Sequence, residues 1–199
     1  MLAAILLAGL AALPANTDSL WQALRGRYLG LVSLSGNFHE TVCSEAEGTC
    51  ASFDGTFAVR LPGSYHMEVT SPQRQVIVGS DSVLWFHFPD EKRAVRQSGG
   101  QELPILAFLG PLLDTAATAA PDTNHLGESI LRVITPDDDM ASLYDLTLEL
   151  SADGTRIDAF GFNDAWGNHY YFQLSDQKWN PVLADGLFRF TPPAGTDVE

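Results

Sequence analysis

Basic residues are scarce in this chain. Lys and Arg number 11 against 25 Asp and Glu, a formal net charge of -14. A nucleic-acid binder needs a basic face to displace counterions from phosphates, so the balance argues against that class. It argues equally against electrostatic docking on anionic lipid heads. Cysteine is almost absent, with only Cys43 and Cys50. A structural zinc site takes four ligands, and none of the usual close spacings is present, so no metal is expected. The five histidines, His39, His66, His87, His125 and His169, include no pair four residues apart on a helix. "PDDDM" at 136–140 lacks the Gly and the terminal Glu of a calcium loop and reads as a solvated loop. The serine elbow, the Walker loop and the dinucleotide fingerprint are all missing, and no cofactor is expected. No carboxylate is marked by its setting as half of an acid–base pair. An enzyme therefore has nothing specific behind it.

Long apolar runs are also missing, with one exception. "MLAAILLAGLAALPA", residues 1–15, is apolar without a break. It is short for a membrane span of about 20 residues and fits the hydrophobic part of a secretory signal. The usual basic start is absent, since Arg25 is the first basic residue. No Cys follows directly, so a lipid anchor is not expected. The expectation is a signal at 1–15 and one exported, soluble domain at 16–199. In such a compartment the two cysteines of "CSEAEGTC", brought together by a Gly/Ser/Thr/Glu turn, are expected to oxidise. Free thiols are the alternative.

Residues 17–33, "TDSLWQALRGRYLGLVS", predict an amphipathic helix. Thr17 or Asp18 can cap it, and Leu20, Leu24, Tyr28 and Leu31 recur at helical spacing. The period then changes to two. "NFHETVC", "ASFDGTFAVRL", "SYHMEVTSP", "RQVIVGSDSVLWFHFPD" and "KRAVRQS" are short, β-branched or aromatic, and bounded by turn residues. Residues 99–128 break the series with "ELPILAFLGPLLDTAATAA", which predicts short helices or turns rather than a strand. Strands resume in "ESILRVITP", "SLYDLTLELSADG", "TRIDAFGFNDAWG" and "NHYYFQLSD". In "LTLEL", Leu146, Leu148 and Leu150 face one way and Thr147 and Glu149 the other. "GLFRFTPP" reads as the last strand, with Pro192 and Pro193 stopping the pairing so that nothing adds to an open edge.

The fold class expected is mainly β (α+β). The pattern gives a single strongly curved antiparallel sheet of about 10–11 strands, with an N-terminal helix and a helical insertion placed against it. Several strands carry large apolar groups on both faces, such as Leu84, Trp85 and Phe86, or Tyr170 and Tyr171. A lined ligand cavity and a solid core both account for that pattern.

The segments "GTFAVRLPGSYHMEVTSP", "VGSDSVLWFHFPD", "DAWGNHYYFQLSD" and "NPVLADGLFRFTPPAGTDVE", in that order, resemble the outer-membrane lipoprotein carrier family. The likeness spans roughly residues 18–198. It implies a periplasmic, unclosed half-barrel with a helical lid that shields the acyl chains of lipoproteins and performs no covalent chemistry. The implied partners are acylated lipoproteins as cargo, an inner-membrane ABC-type release complex and an outer-membrane acceptor, with a monomeric carrier between them. Arg60 in "VRLP" matches the family arginine that ties the lid to the barrel, and Tyr65 matches an aromatic position at the cavity mouth. Leu61 stands before Pro62 where Arg-Pro is commoner, and Met67 stands where Trp is frequent. By alternation Arg60 shares a face with Ala58, whose small side chain leaves room for an interior guanidinium. The residues expected to touch cargo or latch the lid are Arg60, Tyr65, Met67, Trp85, Phe86, Leu106, Phe108 and Leu109. Two alternatives stand beside this reading: a related carrier or sensor domain for another lipid, and an exported hydrolase using scattered carboxylates.

Overall fold

The computed structural model describes residues 17–80, 83–98, 104–106, 108–114, 116–121, 130–135 and 144–199. The signal-like run, the loop at 136–140 and His125 lie outside them.

Helix α1, Thr17–Tyr28, opens on an acidic residue, Asp18, and closes on Arg25 and Arg27, as the helix dipole favours. Trp21, Leu24, Arg25 and Tyr28 recur at helical spacing and form its buried stripe. The helix stops short of the predicted end at Ser33, just before Gly30. Leu31 is still buried, whereas Leu29 and Val32 are exposed.

Among the described residues eleven strands follow in sequence before the chain's last segment. They are β1 (Ser33–Ser44), β2 (Thr49–Arg60), β3 (Ser64–Ser71), β4 (Gln75–Ser80), β5 (Val83–Phe88), β6 (Arg93–Ser98), β7 (Thr118–Pro121), β8 (Ile130–Ile134), β9 (Tyr144–Leu150), β10 (Ile157–Asn163) and β11 (Asn168–Trp179). A two-residue β12, Asp197–Val198, closes the chain. All twelve form one sheet in the order β12-β6-β5-β4-β3-β2-β1-β11-β10-β9-β8-β7. Every pairing is antiparallel except β12 on β6. The end strands β12 and β7 do not pair with each other, so the curved sheet stays unclosed, as expected.

Chain order explains the shape. β1 meets β2 on one side and β11 on the other, each through long registers. Two arms therefore spread from the centre, β2 to β6 and β11 to β7. The connection between the arm ends, β6 to β7, carries the helical insertion. It holds a 3-10 turn, Pro104–Leu106, and the short helix α2, Leu109–Leu113.

The apolar residues of the concave face form one cluster with α1 and the insertion. Leu34, Phe38, Phe57, Val59, Tyr65, Met67, Leu148, Phe160 and Phe172 come from the sheet, and Trp21, Leu24, Tyr28, Ile105, Phe108, Leu109 and Leu112 from the cover. The leucines of "LTLEL" are buried, as their alternation predicts.

Two expectations need correction. Residues 118–121 form strand β7 within the stretch read as helices and turns. "TAAP" has a single β-branched residue, so local propensity carries no strand signal there. The closing segment is not a ladder strand. Asp185–Phe188 is a 3-10 turn, and only after the two prolines does β12 form. The backbone of the last three residues bonds Lys92, Ala94 and Arg96 along the β6 edge. Prolines cannot donate to a ladder, which places the pairing beyond them and not before.

At the far end of the β1–β2 hairpin Cys43 faces Cys50 across the pair, joined by a disulfide with Cα atoms 4.1 Å apart. Replacing both by serine is expected to lower stability by about 2 kcal/mol, the entropy of so short a closed loop. Urea denaturation of the wild type, with and without reductant, against the double variant measures it.

Candidate functional site: an apolar concave face under a bonded cover

Aromatic rings line the floor. Phe160 stacks on Phe172 at 4.8 Å and Phe162 on Tyr170 at 4.9 Å. The cover reaches down onto them: Phe108 lies 4.9 Å from Phe160 and meets Tyr28 edge-on at 6.0 Å. Leu109 and Ile105 are buried with it, and Leu106 packs on the same cluster.

Two directional bonds fasten α1 to the insertion. Arg25 Nε donates to the Leu112 carbonyl at 3.2 Å, and Trp21 Nε1 donates to the Ala117 carbonyl at 3.2 Å. Arg25 is only 8% exposed, so its charge sits where a hydrogen bond is costly to lose. Sequence reasoning missed both residues as functional. The signal was present: Arg25 follows Trp21 by four positions and lies on the same stripe as Leu24 and Tyr28. A charged group on an apolar helix stripe needs a partner.

The residues named from the sequence divide between the two faces. Tyr65 and Met67 are buried on the concave side with Ile77, and Phe86, opposite Ile77, packs against the same cluster. Gly79 pairs with Tyr65, and an added Cβ at 79 would land within the phenol ring, so the glycine makes the space the ring occupies. Burial pushes the Tyr65 hydroxyl above its ordinary pKa.

Arg60 and Trp85 are placed differently. Phe57, Val59 and Leu61 belong to the concave cluster, so Arg60 and Ala58 point to the convex face. There Arg60 donates to the Asp185 carboxylate at 2.7 Å and to the Leu183 carbonyl, with its guanidinium 4.7 Å over the Phe188 ring. Trp85, paired with Val78, sits on the same outer face 5.3 Å from Phe190, and His87 lies 5.1 Å from that ring. Arg60 thus pins the C-terminal segment to the back of the sheet, and Trp85 is covered by it. Among the described residues the arginine that reaches the insertion is Arg25. Alternation reports which residues share a face, not which face turns inward. The C-terminal segment, lying on the convex side, accounts for the second apolar face of β5.

The polar side chains offer little coordination chemistry. Among the described residues no three His, Cys, Asp or Glu side chains converge on a metal position. His39 bonds Asp54 at 2.7 Å and His169 bonds Asn163 at 2.9 Å. No described helix is long and apolar enough to cross a membrane. One carboxyl stands apart. Glu40 lies on the concave side, and burial lifts its pKa from 4.5 to about 7.

Comparison with known proteins agrees with this geometry. A protein of Neisseria gonorrhoeae named outer-membrane lipoprotein carrier protein is 29% identical over 170 residues, covering 83% of this chain and 79% of the relative. One of the same name from Xanthomonas oryzae is 30% identical over 177 residues, covering 85% and 82%. Among solved structures, an uncharacterized conserved protein from Thermus thermophilus superposes with a TM-score of 0.52 at 10% identity, covering 91% of this chain and 96% of that one. That likeness concerns the fold alone. The profile of the family described as outer membrane lipoprotein carrier protein LolA matches residues 30–191, and the chain belongs to that family.

Proposed function

We propose that this protein is a periplasmic chaperone that carries acylated lipoproteins between the inner and outer membranes, holding their acyl chains on the concave face. The observation that carries the reading is the cover itself. α1 and the insertion contribute a row of apolar side chains, Leu24, Phe108, Leu109 and Leu112, and two directional bonds fasten them together.

An acyl chain gains about 0.8 kcal/mol for each CH2 removed from water. A lipoprotein therefore cannot cross an aqueous space bare. Here the chains would replace apolar side chains of the cover against the same floor. Apolar contact is exchanged for apolar contact, so the net gain is modest and loading is reversible. The Arg25 and Trp21 bonds set the threshold that cargo must overcome, since charged and neutral hydrogen bonds contribute about 1.5–3 kcal/mol and about 1 kcal/mol respectively. The role requires binding and release only, with no bond made or broken. An ABC-type release complex in the inner membrane would load the carrier, and an acceptor at the outer membrane would unload it.

The test is to dilute a triacylated lipoprotein out of detergent in the presence of the protein and separate the mixture by gel filtration. A one-to-one soluble complex is expected. Aggregation of the lipoprotein with the protein left free would sink the proposal. Arg25→Leu removes the charged bond to Leu112 and is expected to raise the affinity for a single-chain acyl probe roughly tenfold, as read by dye displacement.

A further inference from the structure

We propose that Glu40, set among aromatic rings on the concave face, is a subsite for a cationic amine borne by the acylated ligand. The proposal rests on the carrier reading above.

The adjacent pair His39–Glu40 divides between the two faces of β1. His39 turns outward to Asp54. Glu40 turns inward, opposite Phe53 of β2 and Phe172 of β11. Its own strand presents Phe38 and Val42 on the same side, and Val42 pairs with Tyr170. Behind Phe172 lies Phe160 of β10, and behind Tyr170 lies Phe162. Among these neighbours only Tyr170 titrates. Its pKa is raised, chiefly by burial, then by the Asp164 and Glu40 charges, and its hydroxyl bonds Asp164 at 3.4 Å. No cation of the described residues is paired with Glu40, and burial alone accounts for its raised pKa.

A half-buried carboxyl on an apolar wall, without a counter-ion among the described residues, is costly unless something completes it. A ligand ammonium does so twice over. It pairs with the carboxylate, and ring faces such as those of Tyr170 and Phe53 attract it by their quadrupoles. An acyl chain laid along the floor would then have its charged head fixed at one end of the face. A neutral head offers the carboxylate at most one hydrogen bond without charge pairing, and an anionic head is repelled by it.

The sign of the pH dependence follows. Above a pH of about 7 Glu40 is ionised and holds the ammonium, whereas below it the carboxyl is neutral and the charge attraction is lost. Amine preference is therefore expected at about pH 8.5 and lost at about pH 5.5, on either side of the carboxyl's titration.

The experiment compares dodecylamine with N-dodecylacetamide, equal in chain length and different in charge, by displacement of an apolar fluorescent dye from the full chain. The wild-type protein is expected to prefer the amine on the order of tenfold at about pH 8.5, the scale of one charge-assisted hydrogen bond. Glu40→Gln, which keeps the shape, is expected to abolish the preference and leave the acetamide affinity unchanged. Glu47→Gln, on the exposed hairpin, removes one charge elsewhere and is expected to keep the preference. Equal binding of the two probes by the wild type, or equal loss in both variants, overturns the amine subsite while the carrier reading stands. Failure of both probes to bind overturns the carrier reading and the subsite with it.

Discussion

Phe108→Ala is expected to raise the affinity for a single-chain acyl probe by up to about a hundredfold. Phe108 is 1% exposed and is held between the Tyr28 ring of α1 and the Phe160 ring of the floor. Cutting a buried phenylalanine to alanine costs about 3–5 kcal/mol in an ordinary core. Here that energy belongs to the docking of the cover rather than to the sheet. A ligand that binds only the open form is weakened by the fraction of time the cover is shut. Losing about 3 kcal/mol of docking raises the open fraction roughly a hundredfold, until the open form dominates. Dye displacement reads the affinity, and a thermal melt in the presence of saturating probe reads the sheet. An unchanged affinity in a folded variant would show that the cover does not compete with ligand.

The second large effect concerns the site's wall. Gly79→Val is expected to cost about 3 kcal/mol or more, because the new side chain would occupy the space of the Tyr65 ring. Tyr65→Ala alone should cost about 3–5 kcal/mol through the cavity it leaves. The two are not independent. With the ring gone, valine at 79 has room, so the double variant should be no less stable than Tyr65→Ala alone. Denaturant titrations of the four members of the cycle measure the coupling. Simple additivity of the two losses would mean that the ring and the glycine do not share that space.

The strands of the sheet were legible because period two is a local property, and "LTLEL" needs no partner to be read. The buried stripe of α1 was legible for the same reason at period 3.6. What was not legible depended on distant chain. In the sequence, the family likeness and the small Ala58 beside it point Arg60 inward, and the apolar groups on both faces of β5 do the same for Trp85. Nothing local says that residues 183–190 lie on the convex side and take Arg60 with them. β7 was missed because "TAAP" becomes a strand only through its neighbour β8. Arg25 was passed over although its position on the stripe marked it. Its partner is the Leu112 carbonyl, and a backbone acceptor 87 residues away leaves no trace in side-chain pattern.

The insertion is the covalent link between the outer strands of the two arms, β6 and β7. Its apolar side chains are therefore a ligand that cannot diffuse away. On the carrier reading proposed above, cargo would displace it, and the displaced segment would remain tethered at both ends beside the floor. Its effective concentration is on the order of millimolar, however dilute the protein is. A lipid must compete with this fixed intramolecular rival at every moment of its stay. On that reading the affinity for cargo would thereby be limited from within, and release would be kept easy.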